Sequence, residues 1–293
     1  MRFWWKTLLG CVLPFVAVFA AVIASAATEV EGIPGVVLKG EWVQGGVLIG
    51  RAPVGSRVWF KARELRVDGE GRFVFGLNRD EAPTAELRVQ LPDEPASLSY
   101  RARIAARTYD IQRIDGLPQK MVTPPPQVRA RIEADQAAAA RARERDTALS
   151  GFADDFVWPC IGPVSGVFGS QRILNGEAKQ PHYGVDVAVP TGTPVYAPAS
   201  GVVSLAHADM YYTGGTLMID HGHGLSSAFL HLSKLRVTEG QAVRQGDLIA
   251  EAGATGRATG AHLDWRVNWF DARVDAQMLV PPMASAQARK ARQ

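Results

Sequence analysis

The sequence predicts a mainly β chain with a small N-terminal β-sandwich, a connector helix and a C-terminal antiparallel β domain. Three observations predict it. Short runs that alternate apolar and polar residues recur from about residue 30 to 108 and again from about 156 to 281. Glycines punctuate the second stretch densely, from Gly162 to Gly260. A tract of strong helix formers, Gln136-Ala137-Ala138-Ala139-Ala140-Arg141, lies between the two. The length of 293 residues suits about two domains at ~150 residues each.

Composition narrows the function classes. Apolar residues are 47% and charged residues 21%, which excludes wholesale disorder. The net charge of +3, from 32 basic and 29 acidic residues, is too balanced to argue for nucleic acid. Two cysteines, Cys11 and Cys160, exclude a disulfide scaffold and any multi-cysteine metal site.

Residues 1–27 read as a secretory signal peptide. Arg2 and Lys6 precede an apolar run from Leu8 to Ala24, and Ala24-Ser25-Ala26-Ala27 offers small residues for cleavage. An uncleaved membrane anchor is the alternative, because the run approaches the ~18 residues a span needs. Cleavage would remove Cys11 and leave Cys160, which reads as a small buried hydrophobe beside Trp158 and Pro159. The expected location is periplasmic or secreted, with membrane contact only if this segment stays attached.

Residues 28–108 supply the sandwich strands. Arg57-Val58-Trp59-Phe60, Arg72-Phe73-Val74-Phe75, Glu86-Leu87-Arg88-Val89-Gln90-Leu91 and Ser99-Tyr100-Arg101-Ala102-Arg103-Ile104 carry the alternation, and Asp68-Gly69-Glu70-Gly71 is a turn. No catalytic residue types cluster there, so a targeting or spacing role is expected. Residues 109–155 form a linker and a helix. Thr123-Pro124-Pro125-Pro126 enforces an extended arm that no strand or helix crosses. Helix formers then run from Gln127 to Ala148, with Gly151 as the stop. Val128 and Ile132 make only a thin apolar stripe, which marks a connector. A segment tethered in this way, Tyr109 to Ala148, is placed to drape over the groove of the next domain. Residues 156–281 form that β domain, and 282–293 a tail.

Three constellations in the C-terminal domain carry chemistry. In Pro181-His182-Tyr183-Gly184-Val185-Asp186, an extended chain would hold His182 and Asp186 ~13 Å apart, so their convergence requires a bend at Gly184. Alone the pattern fits a surface turn equally well. In the strand from His262 to Trp269, Leu263, Trp265, Val267 and Trp269 form an apolar face, and His262, Asp264, Arg266 and Asn268 a polar one. The third is His231 in Phe229-Leu230-His231-Leu232, where a satisfied core histidine is the plainer reading. Among the rest, His221 and His223 lie in a glycine-flanked turn, one of them a substitute ligand at most. Asp220 caps that turn, His207 is ordinary surface, and Tyr211-Tyr212 suits either a groove wall or loop packing. Ser165, Ser226 and Ser227 lack a Gly-x-Ser-x-Gly elbow, so serine hydrolase chemistry is unsupported.

Together these segments resemble the LytM/lysostaphin-type zinc endopeptidases, which cut peptide cross-bridges in bacterial peptidoglycan. His182-Tyr183-Gly184-Val185-Asp186 is similar to their HxGxD motif. Val157-Trp158-Pro159 with Gly166-Val167-Phe168-Gly169 resembles the opening of the domain. Asp220-His221-Gly222 followed by His231-Leu232-Ser233 resembles its central strands, and Thr255-Gly256 through His262-Leu263-Asp264 its closing TGxxTGxHLH segment. The likeness covers about 125 residues in the right order and implies a duplicated hybrid barrel-sandwich fold. That architecture also accounts for the echo of lipoyl or biotinyl carriers between Thr193–Val203 and Val237–Ile249, which has no lysine at a hairpin tip.

The resemblance implies His182 and Asp186 as zinc ligands, and His231 and His262 as catalytic histidines that orient water and stabilise the scissile carbonyl. The third ligand of the family is the second histidine of HLH, where this chain has Asp264. Carboxylate oxygen is an accepted zinc ligand, although harder ligands move preference toward other divalent metals. A metal set of His182, Asp186 and Asp264 with weakened hydrolytic power is therefore expected, because a second carboxylate neutralises the ion. The resemblance implies a secreted metal-dependent endopeptidase acting on peptidoglycan. A catalytically weakened relative that binds and activates cell-wall amidases is the alternative, favoured by Asp264 and opposed by the four matching positions.

Overall fold

The computed structural model describes residues 27–114 and 126–290. The expected signal segment, apart from Ala27, and Thr123-Pro124-Pro125 lie outside the described residues. The chain is mainly β, as the alternation predicts.

Eight strands build the N-terminal part: β1 (Thr28–Glu29), β2 (Val37–Lys39), β3 (Val47–Arg51), β4 (Arg57–Phe60), β5 (Arg63–Leu65), β6 (Arg72–Gly76), β7 (Thr84–Gln90) and β8 (Ser97–Arg103). They pair as two four-stranded sheets, β1-β2-β3-β6 and β5-β4-β7-β8. The alternation of β7 is strict, with Ala85, Leu87 and Val89 buried and Glu86 and Arg88 exposed. Phe60 and Phe75, one from each sheet, stack at 4.4 Å between centroids.

The arm after the sandwich differs from the sequence expectation. Ile111–Ile114 forms a strand, β9, although this stretch reads as linker. It pairs in parallel with β11 (Gln171–Leu174), which itself follows β10 (Val164–Gly166) and pairs with β12 (Glu177–Ala178). A partner distant in sequence creates this strand, and local pattern does not report such a partner. The connector helix α1 runs over Arg129–Arg143 and stops well before Gly151. Beyond it the backbone spends its polar groups on tertiary partners. The Thr147 carbonyl accepts from the His223 N–H, the Thr147 hydroxyl donates to Asp220, and Asp146 accepts from Arg66. Pairs of this kind outbid one more helical turn.

The C-terminal part continues with β13 (Val185–Ala188), β14 (Pro194–Tyr196), β15 (Gly201–Met210), β16 (Gly214–Gly222), β17 (Leu225–Leu232), β18 (Lys234–Leu235), β19 (Ala242–Val243), β20 (Leu248–Glu251), β21 (His262–Trp269) and β22 (Ala272–Val274). One sheet in the order β10-β13-β21-β17-β16-β15-β19 dominates, with β22 on β21, and β14-β20-β18 form a smaller one. The tail residues Met283–Lys290 form a helix, α2.

The large sheet has two distinct faces. Leu217, Ile219, Phe229, Leu263, Trp265 and Val267 fill the core on one side. On the other, Leu205, Met218, Ala228 and Leu230 pack against Ala138, Ala139 and Ala142 of α1. Cross-strand register puts Asp264 opposite Leu230 and Arg266 opposite Ala228, so the candidate site and α1 share one face.

The sandwich packs directly on the C-terminal part. Its Phe60 meets Trp269 edge-on at 6.0 Å, and the Arg63 guanidinium sits 3.9 Å over Phe270. One continuous buried cluster includes Phe60, Phe75, Trp269 and Val274.

Candidate metal centre

The centre is built where β13 and β21 run antiparallel. Their register sets Asp186 directly opposite Asp264 and Ala188 opposite His262. Because alternate side chains of a strand share a face, His262, Asp264 and Arg266 project together. His182 precedes β13 in irregular backbone, so the bend expected near Gly184 is realised. Its Nε2 lies 3.1 Å from Asp186 Oδ1 and 3.5 Å from Asp264 Oδ2.

One ligand atom from each of His182, Asp186 and Asp264 lies within 4.8 Å of the others. The pair separations of 3.1 and 3.5 Å suit tetrahedral ligands at ~2.1 Å from one ion, which stand about 3.4 Å apart. His182 Nε2 and Asp186 Oδ1 are buried 3.1 Å apart and have no hydrogen-bond partner. Buried polar atoms left in this way are costly, and a shared cation satisfies both. The donor set therefore fits a divalent metal. In the absence of a cation, burial opposes the charge on His182, but the facing carboxylates of Asp186 and Asp264 outweigh it and push its pKa to about 10.

Asp264 has a further partner. Arg266, two residues along the same strand face, donates to both its carboxylate oxygens at 2.6–3.1 Å. Burial would raise the Asp264 pKa, but Arg266 and His182 hold it well below the carboxylate range. Sequence patterning places Arg266 on the polar face and assigns it no role. The i,i+2 spacing from Asp264 was the available signal.

His231 and His262 form the second half of the site, with ring centroids 4.9 Å apart. His231 Nδ1 bonds the Thr255 carbonyl at 2.8 Å, and His262 Nδ1 bonds the Gly260 carbonyl at 2.8 Å. A carbonyl only accepts, so each ring donates from Nδ1 and keeps Nε2 as an open base. His262 Nε2 lies 3.8 Å from Asp186 Oδ1. Burial lowers the pKa of His231, against the Thr255 bond. Strand alternation alone would send His231 to the core side, since Leu230 faces the site. Its φ of +62° breaks the alternation, held by its N–H on the Thr213 carbonyl. A non-glycine residue in that region costs of order 1–3 kcal/mol, and such strain gathers at functional sites.

The other histidines stand apart. His221 is fully enclosed, bonded to the Ser200 carbonyl and the Ser227 hydroxyl, each at 2.8 Å. His223 packs on Phe152 at 4.1 Å, so neither is a substitute ligand. Asp220 accepts from the Gly222 N–H at 2.8 Å, the expected turn cap. His207 lies on exposed strand, and Cys160 is buried. The Tyr211 N–H bonds Asp135 of α1 and Tyr212 lies under Arg257, contacts of loop packing.

Comparison with known proteins adds to this geometry. The family model described as peptidase family M23 matches residues 180–276, a span holding all five site residues. The chain is 41% identical over 110 residues to the peptidoglycan DD-endopeptidase ShyA of Vibrio cholerae, covering 38% of this chain and 25% of that protein. It is 40% identical over 100 residues to the DD-carboxypeptidase/endopeptidase Mpg of Neisseria meningitidis, covering 34% and 22%. The chain thus spans about a quarter of the length of the curated relatives it matches. A Pseudomonas aeruginosa chain of solved structure, described as an M23 peptidase, is 30% identical with a TM-score of 0.60, covering 82% of this chain and 95% of that one.

Proposed function

Because the chain belongs to peptidase family M23, a family of zinc-dependent metallopeptidases, we propose that it is a peptidoglycan endopeptidase of the bacterial envelope, acting in the periplasm or after secretion. In this reading His182, Asp186 and Asp264 hold the metal, and His231 and His262 are the catalytic residues. The observation that carries it is the meeting of three ligand atoms within 4.8 Å beside two histidines whose Nε2 atoms are free.

When bound, zinc supplies Lewis acidity and a water whose pKa falls from 15.7 to about 7. His231, kept neutral by burial and with Nδ1–H tied to Thr255, accepts a proton at Nε2. His262, turned by its Gly260 bond, holds its ring toward Asp186 and, when Nε2 carries a proton, donates to the scissile carbonyl as charge develops there. Arg266 addresses the weakness expected of a two-carboxylate set. A neutral histidine, two carboxylates and one guanidinium sum to −1, the same charge as two histidines and one carboxylate. Arg266 thereby returns to the site the electrophilic power that Asp264 would remove.

A second reading, amidase activation without hydrolysis, is favoured by Asp264 standing where the family resemblance implies histidine. Digestion of purified peptidoglycan separates the two. With added zinc, wild type should cut cross-bridges, counted as cross-linked dimers lost after muramidase digestion, and His262→Ala and His182→Ala should lose at least about a hundredfold of that activity. Metal content should persist in His262→Ala and vanish in His182→Ala. Wild type that cuts nothing yet stimulates a cell-wall amidase would reverse the order of the readings.

A further inference from the structure

Positive charge gathers beside the metal ligands without matching negative charge. Arg266 occupies the site face of β21 and spends its charge on Asp264. One step along that face Asn268 stands opposite Arg273 of β22, and its amide oxygen accepts from Arg273 Nη1 at 2.5 Å. The Arg273 guanidinium lies 5.5 Å from the ring of Tyr183, the neighbour of His182. Arg143 ends α1, the helix packed on this same face.

These guanidiniums sense one another. Burial lowers the pKa of Arg143, and Arg266 lowers it further. Burial lowers the pKa of Arg273 to about 10, with Arg143 and Arg266 adding to the effect. Among the described residues no carboxylate lies within ion-pair distance of Arg143 or Arg273. Asp271 and Glu144 act on them only at longer range, and both are exposed. Half-buried like charges without a counter-ion are unfavourable, and an anionic ligand group relieves them through charge-assisted hydrogen bonds.

We propose that Arg143 and Arg273 form an anion subsite beside the metal centre, which takes a free carboxylate of the substrate peptide next to the scissile bond. The inference rests on the reading of the site as a peptidase. It gives α1 a part in the substrate groove, with Arg143 as a specificity-determining residue contributed from outside the β domain. Arg266, already saturated by Asp264, shapes the local field.

The test uses the full chain carrying His262→Ala, so that substrate stays intact. Its affinity is measured for cross-linked muropeptide dimers with free carboxylates and for the same dimers with those carboxylates amidated. The free form should bind about tenfold tighter, the worth of one charge-assisted hydrogen bond. Arg143→Gln and Arg273→Gln should each reduce that preference to under about twofold, chiefly through lost affinity for the free form. Equal affinity of the parent protein for both dimers overturns the proposal. So does a preference that survives both substitutions, or loss of binding to both dimers alike, which would make the arginines structural. Digestion of peptidoglycan by wild type is run alongside. A carboxylate preference without cross-bridge cutting removes the peptidase reading and keeps the subsite, and cutting without preference does the reverse.

Discussion

Arg79 of the N-terminal sandwich holds the carbonyl of Gly169, ninety residues away, through two hydrogen bonds of 2.9 and 2.7 Å. The Gly169 N–H in turn donates to the His182 carbonyl at 2.7 Å. Arg79 is buried, with Tyr109 stacked on its guanidinium at 4.3 Å. The sandwich therefore reaches the backbone of a candidate metal ligand in two steps. Arg79→Ala should lower stability by about 1–3 kcal/mol, since it strips a buried carbonyl of its donors. It should also weaken zinc binding about tenfold or more, as loss of outer-shell support does. Zinc titration against a competing chelator, beside a thermal melt, checks both. Lowered stability with unchanged zinc affinity would confine Arg79 to packing.

The Asp264–Arg266 pair makes an unusual forecast for Asp264→His, the change that would restore the histidine implied by the family resemblance. The Asp264 side chain is only 3% exposed and that of Arg266 26% exposed. A histidine at 264 leaves the guanidinium facing a cation site without its carboxylate. The single variant should lose up to about 3 kcal/mol of stability and bind zinc more weakly than wild type. Arg266→Met in the same chain should recover zinc affinity. A double-mutant cycle read by metal titration measures the coupling, and strict additivity would show that Arg266 does not support the ligand.

The alternation of β21 was legible because period two is a local property. It correctly set His262, Asp264 and Arg266 on one face. The meeting of Asp186 with Asp264 depends on pairing across some eighty residues of chain, and only the ordered motifs signalled it. Arg266 escaped notice because an arginine on a polar face is ordinary until its carboxylate partner is known. Arg79 and β9 gave no local sign at all, since each acts through a contact with another module. The early end of α1 has the same origin. Composition favoured helix to Ala148, and the partners of Asp146 and Thr147 decided otherwise.

His221 predicts a pH dependence of stability. Burial, against its Ser200 bond, lowers its pKa from 6.5 to about 4 in the folded chain. As pH falls through 6.5 the unfolded chain takes up this proton while the folded chain does not, so stability declines. The decline levels off below about 4, where the folded form protonates too. Across that window the loss from this group is about 3 kcal/mol, at 1.36 kcal/mol per unit. Denaturant titrations of wild type and His221→Gln between pH 7 and 4, in the presence of chelator, should show a flatter profile for the variant. Parallel profiles would mean that His221 titrates at its ordinary value.

Gly184 makes the last forecast. A side chain there would strike Asp264 Oδ1 directly, and its Cβ would lie 2.8 Å from Arg266 Cγ and 2.9 Å from the Trp265 carbonyl. Strand β21 cannot retreat, because Trp265 behind it is fully buried in the core. The clash must therefore be taken up by Asp264 and Arg266, the two groups that set ligand geometry. Gly184→Ala should lower zinc affinity by at least about tenfold and stability by about 1–3 kcal/mol. Gly69→Ala, in a turn with nothing within 4 Å of the added carbon, should change neither. If Gly184→Ala binds zinc like wild type, the Asp264 carboxylate can move without consequence and is not a ligand.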